Sequence, residues 1–282
     1  MKELLNENTL FATIAMLVQE SMQLLLVVEG DDDSFALNRH RHDDLMIIPA
    51  VGGRQNILRA AQISLDKGFR DIRFLVDRDY SDPTVLDLPN NVFVTEHHDL
   101  FMDLIVSVPD VLDTVIEAHV RGRRRSQDVP ELPSAGEIRD RAYALAGCVA
   151  AVRIVNESDS LGLKLERFPI GALPTASGEV EPVVDLAIRR SSFSGVRDDL
   201  VENVSRTYQA VLRAVNTQVG DHDLFSAIAR VLRAEGVTIG ADVLVASFLA
   251  AVSCVSLQAT TWFAQIRAWC SGYGREAFTC PL

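Results

Sequence analysis

The first hundred residues alternate between short apolar runs and longer amphipathic stretches. "LLLVV" at 24–28 is closed by Glu29-Gly30, and its length and unbroken apolar character predict a buried strand. "DDDSFALNRH" follows with its acidic residues first, the order that suits the positive end of a helix. "LMIIPAV" at 45–51 reads as a second strand, halted by Pro49 and Gly52-Gly53. In "RQNILRAAQISLDKG", Ile57, Leu58, Ala61, Ile63 and Leu65 form a helical stripe and Gly68 supplies the stop. "DIRFLVD" is a third strand, "NVFVT" at 91–95 a fourth, and a helix is expected from about Asp99. Strands alternating with helices predict the α/β class: a parallel sheet flanked by helices.

The pattern changes after about residue 110. "SVPDVLDTVIEAH" reads as a helix, "VRGRRRSQDVPELPS" as a charged, proline-bearing loop, and "AGEIRDRAYALAGCVAAVRIV" as a strong helix. Two more amphipathic helices follow, "VRDDLVENVSRTYQAVLRAVN" and "DHDLFSAIARVLRAEG". The boundary is expected between 110 and 130. Residues 1–120 then form an α/β domain with an N-terminal helix, and residues 121–282 a mostly α-helical domain for oligomerisation or partner docking. No charge falls between Asp242 and Arg267. That length matches a bilayer, but Ser, Gln and Thr are scattered through it and no basic flank sets a topology. The expected reading is one long buried helix and no membrane span.

Composition narrows the function. The net charge is −12 over 282 residues, a poor balance for tight, free-standing nucleic-acid binding, which needs Lys and Arg against phosphate. "RGRRR" at 121–125 is the best basic patch, equally readable as a solvated linker. The four cysteines, Cys148, Cys254, Cys270 and Cys280, make no CxxC pair. They are expected to be reduced, mostly buried thiols of a cytoplasmic protein. Trp262 and Trp269 fall seven apart on one helical face and read as core. His222, between Asp221 and Asp223, reads as part of a helix cap.

The candidate chemistry collects where the strands end. In a parallel α/β sheet ligands gather at the C-terminal ends of the strands. Glu29 ends the first strand, Gly52-Gly53 follow the second, Asp77 and Asp79 end the third, and Thr95 to Asp99 close the fourth. An extended chain would put Asp77 and Asp79 on one side, with Arg78 on the other. Asp82 follows in the same loop. Carboxylates in this number suit Mg²⁺ or Mn²⁺, which take oxygen ligands together with substrate phosphate. Glycines without Cβ atoms admit a phosphate. The reaction suggested is metal-assisted phosphoryl transfer, with Glu29 handling a proton. Asp33, Arg54 and Asp99 form a supporting set, and His97 and His98 lie beside it. The competing reading makes Glu29 and Asp31 to Asp33 a helix cap and Asp77 and Asp79 a turn. A HAD-type phosphatase would carry its DxD on the first strand, and a receiver domain would need a later Lys that "NVFVTEHHDL" lacks.

In "VVEGDDDSF", "PAVGGRQNI", "VDRDY" and "NVFVTEHHDL" the order of motifs resembles the TOPRIM fold of topoisomerases, bacterial primases and OLD-type nucleases. It is most similar to TOPRIM-like proteins encoded beside ABC-type ATPases in phage-defence loci, including the PARIS type. "VGDHDLFSAI" at 219–228 is similar to a Gly-His-Asp-Leu stretch of that branch, with Asp221 interposed. The resemblance covers residues 24–105 in good order. It implies a Mg²⁺- or Mn²⁺-dependent nuclease acting as a toxic effector on DNA or RNA, with transfer RNA a candidate substrate. It also implies an ATPase partner and a homodimer. Glu29, Asp77 and Asp79 would be catalytic and metal-binding, Asp33 and Asp99 further metal ligands, and Gly52, Gly53 and Arg54 the phosphate contacts. Phe101 stands where that branch implies an acidic residue, so either Asp99 or Asp103 serves or the fourth ligand is absent. The alternative is a non-catalytic TOPRIM-like adaptor subunit of an ATPase complex.

Overall fold

Strand β1 (Leu24–Val28) is buried along its whole length, as an apolar run without alternation requires when both faces of a sheet are covered. It is flanked by β2 (Leu45–Pro49) on one side and β3 (Ile72–Val76) on the other, with β4 (Val92–Val94) beyond β3. The order is β2-β1-β3-β4 and every pair is parallel. Pro49 is tolerated because it closes an edge strand, where a missing N–H disrupts least. The structure is a computed structural model and describes residues 7–50, 52–81, 87–124 and 133–280. Asp82 and Arg125 of the basic patch lie outside the described residues.

Two consequences of this topology position the site. The register pairs Val28 with Pro49 and with Leu75, and Val76 with Val94, so the four strands finish nearly level. Strands are added first on one side of β1 and then on the other, so the order reverses between β1 and β3. The crevice beyond the C-terminal ends of those two strands is the switch point where α/β sheets collect ligands.

Helices α1 (Glu7–Glu20) and α3 (Gly53–Asp66) cover one face, where Leu10, Ile14, Ile57, Ala60 and Ala61 pack against Leu25, Val27, Ile72, Phe74 and Val76. Each large aliphatic side chain buried there contributes about 1.5–3 kcal/mol. Helix α2 (Asp31–Asn38) packs on β1 and β2, and α4 (Leu100–Ser107) follows β4.

The chain clusters into two units, Met1–Ser107 with Ser253–Leu282, and Val108–Val252. The division at Val108 lies close to the expected boundary. The last thirty residues, expected in the helical domain that runs to 282, instead pack with the sheet. In that segment α12 (Cys254–Gln258) and α13 (Thr261–Ser271) are followed by a tail whose Phe278 bridges Arg41 in antiparallel fashion. The Arg73 guanidinium lies 5.6 Å over the Trp269 ring, which puts α13 on the face opposite α1 and α3. Trp262 and Trp269 are both buried.

This return corrects two expectations. The uncharged run is not one helix. It divides into α11 (Ala241–Ala251), α12 and α13, interrupted where Val252 and Ser253 turn extended and Ser253 caps α12, and again at Thr260. Hydroxyls that compete for backbone bonds end helices even within apolar sequence. Among the described residues, no helix is long and apolar enough to cross a membrane. The cysteines are not all reduced either. Cys254 and Cys280 form a disulfide, while Cys148 and Cys270 are free and buried. A separation of 26 residues carries no spacing signature, so only the folded tail reveals the pair.

The second unit is helical: α5 (Pro109–Arg124), α6 (Ala135–Ser158), α7 (Val180–Arg190), α8 (Arg197–Arg213), α9 (Val215–Gln218), α10 (Asp221–Ala234) and α11. Helix α6 is its axis. Ser134 and Glu137 close a capping box at its start, and α8 and α10 pack along it. The "GDHDL" stretch begins α10 with Gly220 as N-cap. Its Asp223 is gripped by Arg153 of α6 through Nε at 2.8 Å and Nη2 at 3.1 Å. His222 is exposed. The motif thus fastens two helices together.

Candidate functional site

Glu29 and Asp77 leave adjacent strands at the switch point, and the Asp77 N–H donates to Glu29 Oε2 at 3.2 Å across it. Glu29, Asp33, Asp77 and Asp99 each accept from a backbone donor. Asp33 Oδ2 accepts from Gly30 N–H at 2.9 Å. Asp77 Oδ1 accepts from Leu100 N–H at 3.2 Å and Asp99 Oδ1 from Met102 N–H at 2.8 Å, so both also satisfy the start of α4. The helix-cap reading therefore describes one oxygen of Asp33; Asp77, read there as part of a turn, and Asp99, outside that reading, also meet the start of α4. The second oxygens of Asp33 and Asp77 can take a further partner.

Asp79 departs from the expected alternation. The strand ends at Val76, and Asp79 sits in a turn with φ of +51°, a left-handed conformation that Asp adopts more readily than most residues. Asp77 and Asp79 are therefore not two alternate positions of one extended strand. Asp79 instead receives Arg54 Nη1 from α3 at 3.0 Å. The same nitrogen donates to the Arg78 carbonyl at 2.9 Å.

Gly52 and Gly53 link β2 to α3 with φ of +98° and +76°. Both positions need glycine for the backbone itself. A Cβ at Gly52 would strike the Asn56 side chain, whereas one at Gly53 would meet open space. The first turn of α3 carries no acidic residue and no side-chain cap, so its backbone donors face this edge without a competing anion.

Arg78, Thr95 and Asp103 organise the site through bonds that no sequence pattern announces. Arg78 donates from its N–H to Thr95 Oγ1 at 2.9 Å, and its guanidinium donates to the carbonyls of Ser81 and Glu96. Thr95 Oγ1 in turn donates to the His97 carbonyl at 2.9 Å. Asp103, 1% exposed, accepts from the N–H groups of Glu96 and His97 and meets His97 Nδ1 at 2.8 Å. Asp103 is thus spent on the loop after β4. His97 is turned toward Asp103, while His98 meets Asp99 at 3.1 Å and packs edge-on to Tyr80. Phe101 is buried. A partner spacing such as Thr95 to Arg78 leaves no sequence pattern, because it depends on which strands are neighbours.

Charge is strongly unbalanced here. Burial, then Asp79, pushes the Glu29 carboxyl up. Burial, then Asp99 and Glu29, raises Asp33 to about 7 against the bond from Gly30. Asp77 is raised well above the usual carboxylate range by burial and then by Asp33, Asp99, Glu29 and Asp79. Like charges crowded this way favour a cation, and an all-oxygen donor set suits Mg²⁺ or Mn²⁺. The carboxylates are not closed into a cage: among the described residues, no three of them bring ligand atoms within 4.8 Å of one another. Arg54 Nη2, a buried donor at the same edge, has no hydrogen-bond partner among the described residues, and the buried His98 Nε2 has none either. A buried guanidinium donor of that kind calls for an anionic oxygen. No protein-family model matches the chain, and no curated protein matches it.

Proposed function

We propose that the protein is a metal-dependent nuclease of TOPRIM type that hydrolyses phosphodiester bonds in DNA or RNA. The observation that carries the reading is the meeting of Glu29 and Asp77 across the switch point, ringed by Asp33, Asp79 and Asp99. Glu29, Asp77 and Asp79 would hold Mg²⁺ or Mn²⁺, with Asp33 and Asp99 behind them. The ion would stabilise charge on the phosphate and the leaving oxygen. Arg54 Nη2 supplies a donor for a phosphate oxygen. Gly53 leaves room for the backbone of the polymer. Glu29, whose carboxyl binds a proton more readily than an exposed glutamate, exchanges a proton with the attacking water. The ATPase partner, the homodimer and the role as a toxic effector in phage defence rest on the family resemblance and belong to this proposal.

A second reading, the non-catalytic adaptor, is favoured by one observation: Phe101 is buried and Asp103 is committed to the loop. The same experiment separates them. Plasmid DNA, single-stranded DNA and total RNA are incubated with the protein in Mg²⁺, Mn²⁺ or chelator, beside Glu29→Ala, with circular dichroism on both proteins. Metal-dependent cutting that disappears in folded Glu29→Ala supports the nuclease. Cutting that persists in Glu29→Ala, or none by folded wild type in either metal, overturns it and leaves the adaptor.

A further inference from the structure

A second cluster of ligating side chains lies in the same unit, away from the carboxylates. His40 follows α2, Cys254 begins α12 and Cys280 lies in the C-terminal tail. Their ligand atoms all fall within 4.8 Å of one another. The Cys254 sulfur is 3.8 Å from His40 Nδ1. In the disulfide this sulfur carries no hydrogen and could only accept from Nδ1–H, a long contact to a weak acceptor. The other ring nitrogen, Nε2, is buried and has no hydrogen-bond partner among the described residues. The imidazole is therefore held against sulfur without a strong hydrogen bond at either nitrogen.

We infer that His40, Cys254 and Cys280, once the cysteines are reduced, form a Zn²⁺ site. With Zn–S near 2.3 Å and Zn–N near 2.0 Å, a tetrahedral ion sets sulfur and nitrogen about 3.6 Å apart and two sulfurs about 3.8 Å apart. The sulfur–nitrogen separation is already close to that value, and turning either cysteine about χ1 parts the sulfurs. Two thiolates and an imidazole select Zn²⁺ over the hard cations that suit the carboxylate edge. Water takes the fourth position.

The ligands do not depend on the disulfide to stay together. Thr279 N–H donates to the His40 carbonyl at 2.8 Å, His42 N–H donates to the Ala277 carbonyl at 2.9 Å, and Arg41 bridges Phe278. These main-chain bonds hold His40 beside the tail that carries Cys280. Reduction by a phosphine or dithiol adds two electrons and two protons to the disulfide and yields two thiols. Zn²⁺ then displaces both protons as it binds the thiolates. The disulfide and the zinc site are alternative fastenings of the tail to the sheet unit.

Co²⁺ is the probe. The full-length protein is reduced with a phosphine, desalted without oxygen and titrated with Co²⁺, then with Zn²⁺. A near-ultraviolet thiolate-to-cobalt band, with the intense visible bands of a tetrahedral ion, is expected to saturate at a single equivalent and to vanish on adding Zn²⁺. The unreduced protein should show neither. Cobalt on the carboxylates gives no thiolate band, so the two sites are told apart. Cys254→Ser and Cys280→Ser should each weaken binding at least about 100-fold, and His40→Ala about 10–100-fold. Cys270→Ser and Cys148→Ser should leave the spectrum unchanged, since burial pushes both of these thiols up to about 12. Absence of the thiolate band in the folded, reduced wild type overturns the inference. So does a band that survives in the Cys254→Ser/Cys280→Ser double variant. Should reduction unfold the protein, recovery of its far-ultraviolet dichroism on adding Zn²⁺ supports the site, and failure to recover overturns it.

Discussion

Asp33 in the sheet unit and Asp223 in the helical unit are buried to nearly the same degree, 9% and 8% exposed, yet their surroundings are opposite. Asp223 is met by a two-pronged Arg153. Asp33 is met by one backbone N–H and by the like charges of Asp99, Glu29 and Asp32. A buried carboxylate that has its counter-charge fastens structure. A buried carboxylate surrounded by others stores electrostatic strain that an incoming cation relieves, and such groups gather at functional sites. The difference separates two acidic sequence motifs that look alike on paper. "GDDD" borders the candidate site, and "GDHD" closes a helix pair.

The largest expected effect tests that division on activity. Glu29→Gln or Asp77→Asn should lower metal-dependent cleavage at least about 10³-fold, since each removes a charged ligand and Glu29 also its proton exchange. Neither should lower the melting temperature of the metal-free protein, because a neutral isostere relieves repulsion. Arg153→Ala should do the reverse. Cleavage per folded molecule persists, while urea unfolding loses about 2–4 kcal/mol because Asp223 is left buried without its partner. The lower end is expected, as the Arg153 side chain is 26% exposed. If Asp77→Asn unfolds the protein, the comparison breaks: Asp77 would then serve mainly as the cap of α4 through Leu100.

The pH dependence sharpens the same contrast. Asp33 has its ordinary value at 3.8 and is raised to about 7 in the folded protein. Between those values the native state holds a proton that the unfolded chain has lost. Stability of the metal-free protein is therefore greatest toward pH 4 and falls as pH rises through 7, by up to about 1.4 kcal/mol per unit for one group. Thermal melts from pH 5 to 8 should show that slope, shallower in Asp33→Asn. Saturating Mg²⁺ should flatten it as well, because the cation favours the ionised form. A slope unchanged in Asp33→Asn would mean that other groups carry it.

What the sequence made legible follows from what each feature depends on. The run at 24–28 and the alternation after it identify strands and helices because burial on both faces is a local property of composition. Glu29, Asp77 and Asp99 could be placed on one edge because every strand of a parallel sheet ends on the same side. The partner of Asp79 could not be, because its left-handed turn breaks the alternation from which its direction was read. The bonds of Arg78, Thr95 and Asp103 were not legible, because they join loops whose closeness is fixed by strand order. The tail hid for the same reason. Nothing in an uncharged run of apolar residues announces that one unit ends at Val252 and that the chain returns to the other at Ser253, or that Cys280 will reach Cys254.

The smallest expected effects separate the two glycines after β2, and with them the strain of the backbone from the needs of a ligand. Gly52→Ala forces a φ of +98° on a side chain that also strikes Asn56, for a loss of about 2 kcal/mol. Gly53→Ala meets only the cost of its φ of +76°, about 1 kcal/mol. Gly53→Asn should cost less still, since asparagine enters the left-handed region more readily. Urea unfolding ranks the three. The ranking alone concerns the turn. The informative quantity is cleavage by Gly53→Asn, which restores the backbone while filling space that the structure leaves open. If a phosphate approaches there, Gly53→Asn should cut about ten-fold more slowly at nearly full stability. If it cuts at the wild-type rate, the glycine serves the entry into α3 alone, and Arg54 is left as the donor that bears on phosphate.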